Sequence, residues 1–238
     1  MLTSLRASRI WVTVGLLCAV SLAAAQDQRG RDVPPKDGDD AKPRLAVTIE
    51  GDLDEKLIPV AGELTAHFFE CYPKLLERLE NPDKRAPREV RIVFESRMRV
   101  PAYARGNEVT VSARWLHEHP DDIGMLAHEL THIVQAYPNG EPGWFTEGLA
   151  DYTRLLYGPK EQPNWSLPEK LTAEQSYTDS YRTTARFFQW LDEKHPGVLD
   201  QLHRKMQREE FKVEDFTELT GKSVDDLWKE CVAELNAK

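Results

Sequence analysis

Cysteine is scarce in this sequence, which argues against a fold held together by disulfides. Only Cys18, Cys71 and Cys231 are present, and Cys18 lies in the apolar N-terminal segment. The two that remain are too few for a disulfide framework. They can form one bridge or stay as two separate thiols, and we favour two buried thiols.

The sequence also lacks an excess of positive charge. It contains 31 Lys and Arg against 40 Asp and Glu, which gives a formal net charge of -9 at pH 7. Nucleic acids and anionic membrane surfaces attract basic proteins. We therefore expect no nucleic-acid partner, and the charged and hydrophobic fractions are typical of a globular domain.

Long apolar runs are missing except near the N-terminus. Arg6 and Arg9 precede the apolar residues 10–20, and Ala23–Ala25 form a small-residue cleavage site. This layout is typical of a signal peptide. A membrane anchor is the alternative, but the apolar run is shorter than the roughly 20 residues that span a bilayer. We predict a signal peptide over residues 1–25, a secreted or periplasmic protein, and no stable membrane insertion after cleavage.

Residues 26–43 contain no large apolar side chain except Val33, so they are predicted to form a disordered linker. Residues 44–238 have the length of one domain. Within this domain, β-branched and alternating segments come first and helical periodicities come later, which predicts an α+β fold. The strands are predicted in RLAVTIEG, REVRIVFES and NEVTVSARW. The helices are predicted over residues 54–80, from Pro120 to about 137, over 144–157 and 179–194, and in two later segments, the last capped by Ser223.

The segment MLAHELTHIVQA contains the pattern H-E-x-x-H, formed by His128, Glu129 and His132. Residues four apart on a helix project from the same face, so the two imidazoles can bind one metal ion. Glu129 lies at the flank of that face. A catalytic zinc site has three protein ligands and one open position, so a third ligand is required.

Glu147, in GWFTEGLADY, is the best candidate for that ligand because a short loop connects its helix to the H-E-x-x-H helix. Taken alone, it fits equally well as an acidic residue in a first helical turn. Asp151 lies one turn further on, where it can accept the second ring N–H of a metal-binding histidine. Together these residues predict a Zn2+ site.

Such a site predicts hydrolysis of peptide bonds by a zinc-activated water, with Glu129 as the general base. A non-catalytic zinc-containing binding module is the alternative, although such a module needs no base beside its metal. Hydrolysis of another amide or an ester also remains compatible with the motif. The expected partner is a peptide or protein substrate.

The donor that stabilises the oxyanion is harder to predict. Tyr177 and Tyr181 are four residues apart in a predicted helix, with Arg186 nearby. We favour Tyr181 as a catalytic residue because it is predicted to lie further inside the helix, although packing is the commoner role for such tyrosines. The strand NEVTVSARW is a candidate edge for pairing with an extended peptide.

Three segments of the sequence resemble the basic secretory protein family, a group of zinc-peptidase-like proteins of plants and bacteria. They are HELTHIVQAYPNGEPGWFTEGLADYTRL, SYRTTARFFQWLDEKHPGVLDQLHRKM and FTELTGKSVDDLWKECVAEL. The resemblance covers nearly all of residues 44–238. It implies a zincin-like, gluzincin-type metallopeptidase domain, with a small mainly antiparallel sheet, an active-site helix and a helical C-terminal half.

Carried over by position, the resemblance implies His128, His132 and Glu147 as zinc ligands and Glu129 as the base. It also implies an exported protein. This chain departs from the family in being acidic, so no role that depends on positive charge transfers to it. The resemblance supports peptidase chemistry more than any particular substrate.

Overall fold

The computed structural model describes residues 44–172 and 174–237. The predicted signal peptide and the linker over residues 26–43 lie outside the described residues. Among the helices of the described part, none is long and apolar enough to cross a membrane.

The described residues form an α+β fold that begins with a four-stranded mixed sheet of order β1-β2-β4-β3. The strands are β1 (Ala46–Gly51), β2 (Glu89–Glu95), β3 (Ala102–Arg105) and β4 (Glu108–Ser112). In this sheet β1 pairs with β2 and β2 with β4 in parallel, whereas β3 pairs with β4 antiparallel. The prediction of a mainly antiparallel sheet is therefore wrong.

The chain connections explain the parallel pairing. The first long helix joins β1 to β2, and a helical crossover returns the chain to the starting end of the sheet, so the second strand runs parallel to the first. β3 was not predicted as a strand. It forms the outer edge and returns to β4 through a two-residue turn in which Gly106 has a φ of 64°.

Eight α-helices lie within the described residues. They are α1 (Leu57–Leu79), α2 (Ala113–Glu118), α3 (Met125–Gln135), α4 (Gly143–Tyr157), α5 (Tyr181–Lys194), α6 (Val198–Gln207), α7 (Asp215–Thr220) and α8 (Val224–Asn236). The helical C-terminal half is as predicted, but three helices follow α5 instead of two. Ser223 caps α8 as predicted, since its side chain accepts a hydrogen bond from the Asp226 N–H.

The predicted start of α3 at Pro120 is wrong, because residues 119–124 form turns. The Asp122 carboxylate accepts hydrogen bonds from Trp115 Nε1 at 2.8 Å and from Arg154 at 2.6 Å. The Asp122 side chain therefore links α2 to α4, and Asp122 lies outside α3. The end of the predicted third strand is α2, which Ser112 caps by accepting a hydrogen bond from Trp115 N–H.

The hydrophobic core lies between the sheet and the helices. The apolar residues of α1 recur at helical spacing, and its inner face is buried under the sheet and against α3. Cys71 and Cys231 are buried and unpaired, as favoured from the sequence. The apolar face of α3 is buried in the same core, which holds the opposite face of this helix in position beside α4.

A buried histidine joins α6 to the end of α1. His203 Nε2–H donates to the Leu79 carbonyl at 2.8 Å, so its Nδ1 accepts a hydrogen bond from the Tyr137 hydroxyl at 2.7 Å. Burial lowers the pKa of His203 to about 4. The neutral ring is thus part of the packing that holds the segment following α3.

Candidate metal centre and its cleft

Three side chains on α3 and α4 converge on one point. The Nε2 atoms of His128 and His132 are 3.1 Å apart. Glu147 Oε2 lies 3.3 Å from His128 Nε2 and 3.6 Å from His132 Nε2. The structure therefore brings together the three residues that the sequence predicts as metal ligands.

The helical hairpin explains this convergence. His128 and His132 are one turn apart on α3, and α3 ends at Ala136, which has a left-handed φ of 45°. The chain then turns through residues 137–142 and starts α4, which packs beside α3. Glu147 lies in the second turn of α4 and faces the two imidazoles.

Each imidazole is held by a second side chain through its Nδ1 atom. Asp151 Oδ1 lies 2.7 Å from His128 Nδ1, and Gln135 Oε1 lies 2.9 Å from His132 Nδ1. Both oxygens are acceptors, so both Nδ1 atoms carry a proton, and the Nε2 atoms that face Glu147 are left to bind either a proton or a metal ion. The contact of Asp151 was predicted from its position one turn beyond Glu147.

Gln135 was not assigned a role from the sequence. Its amide nitrogen also donates to the Thr146 carbonyl at 2.9 Å, so it ties α3 to the start of α4 beside Glu147. Its position three residues after His132, on the same helix, is the sequence signal that would have identified it.

The donor set fits a metal ion. His128, His132 and Glu147 offer atoms that all lie within 4.8 Å of one another. Two imidazole lone pairs and a carboxylate oxygen meet there, and a cation is what satisfies three such acceptors. Two histidines and one glutamate are also an established ligand set for a divalent ion with an open position.

The shifted pKa values of His128 and Glu147 indicate that a positive charge between these side chains is stabilised. Burial lowers the pKa of His128, but hydrogen bonds to Asp151 and Glu147 outweigh it and raise the pKa to about 10. Burial raises the pKa of Glu147, but the two imidazoles outweigh it and lower the pKa to about 2. A proton and a metal ion therefore compete for the same place.

Glu129 is buried beside this cluster and lines the adjoining cleft. Burial raises the pKa of its carboxyl group, and the neighbouring histidines oppose that increase. A carboxylate with a raised pKa is a better proton acceptor near neutral pH, as a general base requires.

Tyr181 also lines the cleft, but for a different reason from the one predicted. It is the first residue of α5, is 55% exposed, and stacks nearly parallel to His128 with ring centroids 6.3 Å apart. The Glu147 carboxylate raises the pKa of the Tyr181 hydroxyl, with burial as the second cause, so the hydroxyl remains a donor.

Tyr177 and Arg186 do not belong to the site. Tyr177 lies in a short 3-10 helix and packs against Trp144 and Trp228, so the predicted helical face shared with Tyr181 is wrong. Arg186 donates to Gln189 on α5 and lines neither depression described below.

The candidate metal centre lies in a cleft between the sheet edge and α4. A larger depression of about 980 Å³ contains His128, Glu129, Glu147 and Tyr181. A smaller depression of about 570 Å³ adjoins it, and both include His132 and Thr146. The two depressions therefore meet at His132, and the cleft extends to both sides of this residue.

The strand that borders this cleft is β3. Its residues line the larger depression from Ala102 to Ala104 and the smaller one from Ala104 to Arg105. The predicted substrate edge NEVTVSARW is wrong, because β4 lies between β2 and β3 and both of its sides are paired.

Comparison with solved structures finds proteins that are distantly similar to this chain. One solved structure among those that match is that of a functionally unknown conserved protein from Bacillus anthracis str. Ames. It shares 13% sequence identity with this chain at a TM-score of 0.41, and the match covers 80% of this chain and 50% of the other. The chain thus spans half the length of that protein.

No curated protein matches the sequence significantly. The model of one family, described as "Peptidase of plants and bacteria" and abbreviated BSP, matches residues 63–231. This match confirms the resemblance found in the sequence and covers the strands β2 to β4, the candidate metal ligands and most of the C-terminal helices, whereas β1 lies before it. The chain belongs to this family of peptidases of plants and bacteria.

Proposed function

We propose that the protein is a zinc-dependent metallopeptidase that hydrolyses peptide bonds. The observation that carries the proposal is the convergence of His128, His132 and Glu147 beside the buried Glu129, in a cleft bordered by an edge strand. The family supplies peptidase chemistry, and the ligand set supplies the choice of metal, because two histidines and a glutamate are typical of catalytic zinc. When bound, zinc supplies Lewis-acid chemistry that acidifies a water molecule and polarises a carbonyl.

Two residues of the protein are proposed to carry out proton transfer and to stabilise the developing negative charge. Glu129 accepts the proton of the attacking water and donates it to the leaving amine, and burial raises its pKa, which makes the carboxylate a better proton acceptor. The Tyr181 hydroxyl donates a hydrogen bond to the carbonyl oxygen as negative charge develops there. Both groups line the larger depression, as the reacting atoms require.

The edge strand β3 supplies the binding surface for the substrate backbone. Within residues 44–172 and 174–237 it pairs only with β4, so its outer edge is available to an extended peptide. A peptide lying along β3 passes the metal ligands, because β3 lines both depressions. This arrangement favours cleavage within a chain.

We also propose that the protein is exported, to the periplasm or outside the cell. The support is the order of positive, apolar and small residues over residues 1–25. N-terminal sequencing of the protein recovered from outside the cytoplasm, with a new terminus at Gln26, tests this proposal.

The test of the catalytic proposal compares the wild type with Glu129→Gln. We expect both proteins to bind one zinc ion, and we expect only the wild type to cleave a mixed peptide library read by mass spectrometry. Glu161→Gln is the control, because Glu161 is exposed and lines neither depression.

Undiminished turnover by Glu129→Gln would remove Glu129 from the mechanism. Absence of bound zinc in the wild type would overturn the zinc dependence. Zinc binding by a wild type that cleaves no peptide would overturn the peptidase assignment and leave a zinc-containing binding module.

A further inference from the structure

The smaller depression beside the metal centre is rich in positive charge. Its rim includes Lys84 and Arg85, from the loop before β2, and Arg105, from the end of β3. We refer to these three residues and the depression they border as the basic recess. No Asp or Glu side chain lines it, although acidic residues outnumber basic ones in the chain as a whole.

The basic side chains of the recess project into solvent, although Arg85 adds to the effect by which Arg88 lowers the pKa of Glu80. Lys84, Arg85 and Arg105 are exposed, and within residues 44–172 and 174–237 none of them forms an ion pair. Neighbouring arginines differ in this respect. Arg88 pairs with Glu80 at 2.7 Å, and Arg91 pairs with Glu50 and Glu108, both at 3.1 Å.

The basic recess is continuous with the candidate active site. Its wall includes His132, Gln135 and Thr146, which belong to the metal centre or fix it. A substrate side chain that occupies the recess therefore lies within a few residues of the bond that is cut, since an extended chain advances about 3.3 Å per residue.

The edge strand leads a peptide into this recess. β3 runs from the larger depression at Ala102 to the basic recess at Arg105, and Gly106 in the following turn also lines the recess. A chain paired with β3 on its open side places alternate side chains toward the recess. Specificity in such strand addition comes from pockets for those side chains.

We propose that the basic recess binds a carboxylate of the peptide substrate on one side of the cleaved bond, and so makes the enzyme selective for acidic peptides. This inference rests on the proposed peptidase function. The carboxylate is that of a Glu or Asp side chain or that of a peptide C-terminus, and these sources share one chemistry. Attraction by three unpaired cations near a reacting site favours such substrates and disfavours cationic ones.

The test uses pairs of fluorescently labelled peptides that differ only by Glu or Gln, with the substitution moved along the peptide. Each pair is made with a free and with an amidated C-terminus. We expect kcat/KM of the wild type to favour Glu at one position by about tenfold, as a few exposed ion pairs allow. Preference that persists in amidated peptides identifies a side-chain carboxylate, and preference confined to free C-termini identifies the terminal one.

Charge-reversal variants connect that preference to the recess. Arg105→Glu and Arg85→Glu should each lose the preference for Glu and gain one for Lys at the same position. Lys160→Glu is the matched control, because Lys160 is exposed and lines neither depression. Unchanged preference in both reversal variants, or no difference between Glu and Gln at any position, would overturn the proposal.

A binding measurement separates this proposal from the peptidase proposal. Fluorescence anisotropy reports affinity of the same peptides for full-length Glu129→Gln, alone and combined with Arg105→Glu. Tighter binding of the Glu peptide that disappears with Arg105→Glu supports the recess even if the wild type cleaves nothing. Equal binding of the Glu and Gln peptides counts against the recess whatever the outcome of the cleavage assay.

Discussion

Replacing Asp151 with asparagine tests whether the buried carboxylate behind His128 strengthens metal binding. Asp151 Oδ1 lies 2.7 Å from His128 Nδ1, and the side chain is only 6% exposed. Asparagine has nearly the same shape, and its amide oxygen still accepts the Nδ1–H hydrogen bond. The substitution therefore removes the negative charge while it retains the orientation of the ring.

The expected effect is a loss of metal affinity of roughly tenfold to hundredfold, the usual range when a group that supports a metal-binding histidine is altered. This corresponds to about 1.4–2.7 kcal/mol of binding free energy. The physical cause is that the carboxylate makes the His128 ring more basic and stabilises the positive charge of the centre. The upper part of the range is expected because burial of Asp151 reduces solvent screening of its charge.

The assay is a competitive zinc titration with a chromophoric chelator at fixed pH, wild type beside Asp151→Asn. Asp215→Asn is the matched control, because Asp215 is 2% exposed and pairs with Lys205 on α6, away from the cleft. A folded Asp151→Asn protein whose zinc affinity stays within twofold of wild type would refute the reasoning. Circular dichroism establishes that each variant is folded.

Three further outcomes are expected. Tyr181→Phe should lower kcat by roughly a hundredfold with little change in KM, because it removes one oxyanion donor; equal kcat values would exclude that role. Gly148→Ala should destabilise the fold by about 1–3 kcal/mol in urea unfolding, because its Cβ overlaps the Thr184 side chain, whereas Gly62→Ala, which meets no atom, should be neutral or stabilising. Since the pKa of His203 falls from its ordinary 6.5 to about 4 on folding, stability should decrease by roughly 3 kcal/mol as pH falls from 6.5 to 4. In His203→Gln, the free energy of unfolding measured in urea should lose most of this dependence on pH.

The metal-ligand cluster is the part of the site that could be predicted best from the sequence. Two histidines four apart on a helix must share a face, and a short loop to a second helix limits where the next carboxylate can lie. These constraints are local, so they bring His128, His132 and Glu147 together without knowledge of the remaining fold. The position of Glu147 relative to the two histidines depends on the length of that loop and on no long-range contact.

The sheet could not be predicted equally well, because pairing depends on contacts between distant segments. The short strand β3 has only four residues, two of them alanine, and gives little periodic signal. It nevertheless occupies the edge beside the cleft, which the sequence assigned to the longer and more β-branched β4. The parallel pairing of β1 and β2 was accessible in principle, since a helix was predicted between them.

The start of α3 and the role of Gln135 were missed for a related reason. The local sequence predicts Asp122 at a helix N-terminus, but its carboxylate accepts hydrogen bonds from Trp115 and Arg154 of other helices. Gln135 likewise matters because of the Thr146 carbonyl on α4. In both cases a tertiary contact decides what a polar side chain does, and the local pattern does not contain that contact.

The packing of α5 on α4 explains how Tyr181 reaches the metal centre. Gly148 follows Glu147, and its missing side chain leaves room for Thr184 of α5 to approach α4 closely. The Thr184 hydroxyl also donates to the Tyr177 carbonyl at 2.6 Å, which fixes the bend before α5.

That bend is strained, since Ser180 and Tyr181 have φ values of 64° and 48°. Conformations of this kind cost on the order of 1–3 kcal/mol each and persist only where surrounding contacts hold them. The contacts that hold this bend are packing contacts between α4, α5 and the 3-10 helix, and none of them requires a metal ion. The backbone of Tyr181 is therefore held by contacts that do not involve the candidate ligands, so Gly148→Ala should lower kcat as well as stability, while zinc affinity should depend mainly on the α3–α4 pair.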